Sequence, residues 1–228
     1  MRPVDRGPAP NVYTQYRDAQ SDLLRRLGDY CSYCERQIET NLAVEHIKPK
    51  SLVAALETEW TNFLLGCVNC NSSKGDTAIT VTDFFWPDSD NTLRAFEYIR
   101  GGLVQPHPAL QPGLSAKATA TIALLGLDKY PGNPTGRVPT SADQRWLRRQ
   151  QAWEMAEWCR QTLAAQDTPA VRELIVKVAT GRGEFSIWWV VFAGDSDMRR
   201  RLREAFTGTH SGCFDGNEDL VARMGGQL

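Results

Sequence analysis

The stretch CVNCNSSK, residues 67–74, sets two cysteines at metal-binding spacing, follows them at once with an asparagine, and ends on a lysine. Upstream, CSYC at 31–34 repeats that spacing, so the two pairs take four of the chain's six cysteines. Each C-x-x-C presents two sulfurs from one tight turn, and four thiolates select zinc, an ion without redox chemistry, in a tetrahedral site. A thioredoxin-like redox pair would open a helix after a strand and would leave the second pair without a role. Cys31, Cys34, Cys67 and Cys70 are therefore the expected ligands of a structural Zn2+. Cys159 and Cys213 stand alone in apolar surroundings and read as buried thiols.

A chain of 228 residues is long enough to bury a core without covalent staples. Lys and Arg number 26 against 27 Asp and Glu, a net charge of -1, so no global basic field marks a polyanion partner. Any nucleic-acid contact must be local. The opening MRPVDRGPAPNVYTQ has no apolar run of the signal-peptide kind, and nothing approaches the ~18 consecutive apolar residues of a membrane span. The expectation is a soluble cytoplasmic protein with reduced thiols.

Between the cysteine pairs lies VEHIKPK, residues 44–50, which contains His46, one of only three histidines. A neutral imidazole can deprotonate water near neutral pH, because its ordinary pKa is ~6.5. The adjacent Glu45 poses a geometric problem: consecutive strand side chains point to opposite faces, so the two share a site only where the backbone bends or one reaches around. Asn62 and Asn71 follow, the latter directly after Cys70. One ion held by both cysteine pairs would pin the two ends of this segment and bring distant residues together.

The ordered set CSYC, VEHIKP, TNFLLGC and CVNCNSSK resembles the zinc-containing HNH endonucleases. The resemblance implies a ββα-metal fold, with the first motif residue on a strand, the central Asn in the connecting loop and the third residue at the start of a helix. It implies that His46 is the general base on the attacking water and that Glu45 helps bind a catalytic Mg2+ or Mn2+. Asn62 would orient the catalytic loop without touching substrate. Asn71 matches a position that many members fill with His, and its carbonyl oxygen is a hard donor suited to Mg2+ or Mn2+. A cation at Glu45 and Asn71 would stabilise charge on the phosphate while His46 acts on water. Lys48, Lys50 and Lys74 are candidate phosphate contacts, with solvated surface lysines as the alternative.

The segments MRPVDRG, CSYCERQI, FFWPDSDNT and AFEYI are similar to HNH nucleases of bacterial anti-phage systems of the Septu type and their retron-associated relatives. That likeness implies a DNA endonuclease acting in defence, with an ABC/SMC-like ATPase partner. Two alternatives stay open: a non-catalytic zinc-held module that binds nucleic acid or protein, and an HNH nuclease acting on RNA.

The expected fold class is α+β, a small ββα-metal module with a structural zinc followed by a mainly helical C-terminal region. Its expected divisions are 1–30 (leader and helix), 31–83 (the HNH module) and 84–228 (helical accessory region). Within them, Tyr13, Tyr16, Leu23, Leu24 and Leu27 share a helical face over 12–27, with Gly28 as its cap. Gly101-Gly102 marks a hairpin turn, and Ser141 and Gln144 form a possible capping box. Thr168-Pro169 opens a helix carrying Val171, Leu174, Ile175 and Val178. EFSIWWVVFAG, 184–194, is a buried strand or helix, and Asp195 or Ser196 opens the last helix. The arginines at 145, 148 and 149 and at 199, 200, 201 and 203 read either as a phosphate-tracking surface or as helix faces turned to water or a partner.

Overall fold

The computed structural model describes residues 1–228 and has the α+β composition expected. The amphipathic stretch 12–27 becomes helical only in its second half, where a 3-10 turn at Tyr16–Ala19 runs into α1 (Gln20–Leu27). Tyr13 leaves the helical path for a tertiary reason. Its hydroxyl donates to Asp22 at 2.8 Å and its ring stacks on Trp60, so the preceding residues pack as an extended arm. Leu23 and Leu27 face inward, and Gly28 ends the helix at φ 74°.

Strands β1 (Ala43–His46) and β2 (Phe63–Gly66) pair antiparallel with His46 opposite Phe63, and α1 packs on β2. One residue later α2 (Val68–Lys74) begins, which completes the ββα order. A short helix α3 (Thr92–Ala95) leads into a second hairpin, β3 (Phe96–Ile99) and β4 (Leu103–Pro106). Gly101 and Gly102 both take positive φ in its turn, and a Cβ on Gly102 would lie 2.5 Å from the Trp146 carbonyl.

The C-terminal half is helical: α4 (Pro112–Leu125), α5 (Arg145–Ala165), α6 (Pro169–Arg182), α7 (Phe185–Val191) and α8 (Ser196–Ala205). Thr168 and Asp195 cap their helices by accepting from Val171 N and Met198 N. The Ser141–Gln144 box does not form; Gln144 is itself the N-cap residue and makes no side-chain cap. The EFSIWWVVFAG stretch is helix α7, and Phe185, Trp188 and Trp189 are buried where it meets α5, α6 and α8. No helix is long and apolar enough to cross a membrane.

Three parts of the chain meet at Glu35, a buried residue with φ 64° just past the first cysteine pair. Its carboxylate accepts from Ser186 N (2.7 Å), Ser186 Oγ (2.5 Å) and Tyr98 Oη (3.1 Å), and pairs with the Met1 ammonium at 3.0 Å. Burial alone would raise its pKa, but the ammonium and Ser186 outweigh that and hold it below the usual carboxylate range. Beside it, Gly183 sits at φ 83° with a virtual Cβ 2.5 Å from both the Glu35 carbonyl and Gln37 N. Gly183→Ala should therefore destabilise the fold by about 1–3 kcal/mol through combined strain and clash. Denaturant unfolding measures this, and an unchanged midpoint would refute the close approach.

Candidate active site and metal centre

The two cysteine pairs converge. The four sulfurs lie within 4.8 Å of one another, all buried and none in a disulfide. Zn–S bonds of ~2.3 Å in a tetrahedron place sulfurs ~3.8 Å apart, and Cys34 Sγ lies 3.7 Å from Cys67 Sγ. Backbone N–H groups already point at the cluster: Cys67 N donates to Cys31 Sγ and Cys70 N to Cys67 Sγ, each at 3.4 Å. The second bond also caps α2, so the ligand that closes the site starts the helix. The donor set, spacing and burial fit one structural zinc.

Such a centre carries two net negative charges, and two guanidinium groups answer them. Arg145, at the start of α5, donates Nη1 to Cys70 Sγ at 3.0 Å and to the Leu125 carbonyl at 2.7 Å. Asp143 holds the same group bidentately at 2.7 Å through Nε and Nη2, which then reaches the Gly126 carbonyl. Arg36 stands in the field of Cys34, Cys67 and Cys31 from the other side and reaches Asn69 Oδ1 of α2 at 3.4 Å. The N–H···S contact from α5 ties the helical half of the chain to the cysteine site.

Adjacent Glu45 and His46 point to opposite faces of β1, as strand alternation requires. His46 lies between the edges of Tyr16 and Phe63, with ring centroids 5.0 and 5.2 Å away. Its Nε2 is 2.9 Å from the Glu57 carbonyl, an acceptor only, so Nε2 carries the proton and Nδ1 keeps a free lone pair. Burial pushes the His46 pKa below its ordinary value, more than the Glu57 carbonyl raises it, which keeps the ring neutral. On the other face, Glu45 passes over Gly66, where a Cβ would approach the Glu45 Cβ to 2.9 Å. The glycine makes room for the carboxylate.

Glu45 Oε1 lies 2.8 Å from Lys74 Nζ, and the same ammonium donates to the His46 carbonyl at 2.7 Å. That ammonium occupies the buried Oε1, so a hard divalent cation would share or displace it to bind the carboxylate. Burial raises the Glu45 pKa and Lys74 opposes the rise. Asn71 is exposed, one turn before Lys74 and on the same side of α2 by its i, i+3 relation. Asn62 clamps the loop after β1: Oδ1 accepts from Lys48 N (2.8 Å), while Nδ2 donates to the Lys48 carbonyl (3.0 Å) and the Leu56 carbonyl (3.3 Å).

The three candidate phosphate-binding lysines separate here. Lys74 is only 2% exposed and engaged with Glu45, so its ammonium is not offered to a ligand at the surface. Lys50 packs over the Tyr16 ring at 4.0 Å and pairs with Glu57 at 3.2 Å, close to His46. Lys48 is half-buried. The C-terminal arginines are mostly committed elsewhere. Arg149 is buried on the Gly102 and Leu127 carbonyls, and Arg200, Arg201 and Arg203 pair with Asp197, Glu204 and Glu218. The motif pattern did not single out Tyr16, Glu57 or Arg145. Glu57 acts through its backbone and Arg145 through a sulfur and carbonyls, which leave no trace in residue spacing.

Elemental analysis should find about one zinc per chain, and Cys67→Ser should lose both the metal and the folded module. Arg145→Met should keep the ligands but release zinc to a chromogenic chelator at least several-fold faster, as losing a group hydrogen-bonded to a metal ligand does; an unchanged release rate would make the sulfur contact incidental. Lys74→Met leaves Glu45 buried without its partner and should cost about 3 kcal/mol in thermal or denaturant unfolding.

Residues 31–77 match the family model described as HNH endonuclease. No curated protein matches the chain. The segment that gathers the four cysteines, His46 and the Asn62 clamp in ββα order is thus the part of the chain that resembles an HNH endonuclease domain.

Proposed function

We propose that the protein is a metal-dependent endonuclease that hydrolyses phosphodiester bonds in DNA. The observation that carries this reading is the state of His46: a neutral imidazole, fixed through Nε2 by the Glu57 carbonyl, with Nδ1 free to accept a proton. A phosphodiester resists hydrolysis because its charge repels nucleophiles and its leaving alkoxide is poor. His46 Nδ1 takes the proton from the attacking water, and the Glu57 contact keeps the ring from rotating as it becomes charged. Asn62 fixes the loop from Lys48 to Leu56 so that this geometry persists.

Glu45 and Asn71 would hold Mg2+ or Mn2+, which when bound would offset negative charge on the cleaved phosphate; because Glu45 and His46 leave β1 on opposite faces, the phosphate would have to sit where the strand ends after His46 for both to reach it. Lys74 adds a fixed positive charge beside Glu45 and limits how far that carboxylate can move. Lys48 and Lys50 would meet neighbouring phosphates. The similarity of MRPVDRG, CSYCERQI, FFWPDSDNT and AFEYI to Septu-type and retron-associated nucleases supports a role in anti-phage defence. On that reading the enzyme works in a bacterial cytoplasm beside an ABC/SMC-like ATPase.

Plasmid nicking in Mg2+ or Mn2+ tests the assignment. Wild type should cut, and His46→Ala should be slower by about 10²–10⁴-fold, the usual worth of a positioned base. Equal rates would remove His46 from the mechanism. Parallel DNA and RNA substrates at one salt concentration decide the substrate class.

A further inference from the structure

Behind the zinc centre lies a concavity of about 370 Å³ lined by Arg36, Gln37, Arg148, Arg182 and Glu184. Most cations of the helical half have a carboxylate partner, as at Arg172, Arg200, Arg201 and Arg203. Arg148 and Arg182 have none. They reach from neighbouring helices, α5 and α6, and are held together by neutral groups. Both guanidinium groups contact Gln151 Oε1, at 3.5 and 3.0 Å, and Arg182 Nη2 also donates to the Arg148 carbonyl at 3.1 Å. Arg36, which also faces the cysteine cluster, closes the third side. Two positive groups held side by side without a counter-charge repel each other, and a bound anion would offset that repulsion.

The remaining wall is Glu184, only 3% exposed and set at φ 54° where α6 turns into α7. Its Oε2 has no hydrogen-bond partner. Burial, helped by the nearby Glu35 carboxylate, pushes its pKa up to about 8, more than Arg182, Arg149 and Arg36 pull it down. The carboxyl is therefore mainly protonated at neutral pH. It does not cancel the arginines, and it can donate a hydrogen bond to an oxyanion. Guanidinium forks with a neutral O–H donor suit the several oxygens of one phosphate.

We infer that Arg36, Arg148, Arg182 and Glu184 form a phosphate-binding site, separate from the catalytic residues, that holds a backbone phosphate of the nucleic-acid substrate. This identification of the ligand rests on the endonuclease reading. The site's wall is continuous with the domain that cuts, since Arg36 follows the first cysteine pair and touches Asn69 of α2. It adds to Lys48 and Lys50 a second local basic contact on a chain of net charge -1. It acts on affinity and register, not on the bond broken.

The test is binding of a fluorescent duplex oligonucleotide, read by anisotropy over a range of NaCl without added divalent ion, in a His46→Ala background that blocks cleavage. Combining Arg148→Ala with Arg182→Ala should weaken binding about tenfold and flatten the slope of log K against log salt by about 0.9 per lost phosphate contact. Unchanged affinity and slope overturn the site. Arg148 is exposed, so Arg148→Gln alone should fold and weaken binding and flatten the slope by less than the double variant does; melting temperature and zinc content check both variants. A second arm titrates inorganic phosphate and a 5′-nucleotide by calorimetry. Binding there that the double variant loses, with oligonucleotide affinity intact, overturns the backbone assignment in favour of a free phosphate ligand. Wild type that fails to nick DNA, yet loses oligonucleotide affinity through these arginines, sinks the endonuclease reading and leaves this site standing.

Discussion

Everything in this molecule is arranged around the convergence of four buried sulfurs. Cys31 and Cys34 come from a tight turn after α1, and Cys67 and Cys70 bracket the junction of β2 and α2. Closing them on one ion fixes the ends of the segment that holds Glu45, His46 and Asn62. Short strands of four residues would be marginal alone. Here the hairpin is clamped at its base by metal-binding sulfurs, covered by α1 and braced by α2, so its register is over-determined. That register decides which strand face carries the imidazole and which carries the carboxylate.

The protein handles positive charge in two ways. Arg2, Arg149 and Arg223 spend their donors on backbone carbonyls, and Arg145 on carbonyls, a sulfur and the Asp143 carboxylate. These guanidinium groups serve as internal connectors, joining loops that have no regular secondary structure to satisfy their oxygens. Arg200 and Arg201 of α8 form surface ion pairs with Asp197 and Glu204, each worth little by itself. What remains for a polyanion is a small set, Lys48, Lys50 and the trio around Glu184, close to the HNH domain in sequence or space. A nearly neutral chain can therefore still present local basic sites.

Much of the HNH domain was legible because its signals are local and chemically specific. Cysteine spacing predicts a metal cluster whatever the surroundings, and the ββα order follows from placing VEHIKP and CVNC at its two ends. Thr168-Pro169 and Asp195 were legible for the same reason: a cap acts within three residues. The misses share a different physics. The helical pattern over 12–27 lost its first turn to Tyr13 contacts with Asp22 and Trp60. EFSIWWVVFAG was ambiguous because a segment buried on all sides has no polar face to set a period. Lys74 looked like a surface cation, and its burial depends on Glu45 turning to the opposite face from His46. Arg145 and Arg149 were taken as surface groups; carbonyl and sulfur partners carry no sequence signature.

The contact from Arg145 to Cys70 also has a temporal side. The four ligands and the hairpin they clamp are encoded before residue 75, whereas the guanidinium that braces the cluster comes much later in the chain. At a synthesis rate of about 5–20 residues per second, roughly 4–15 s separate emergence of the last cysteine from that of Arg145. On a growing chain all four ligands therefore exist before the helical half can dock on them. Through that interval Cys70 lacks its Arg145 partner, so the helical half completes the surroundings of a cluster whose ligands are already in place.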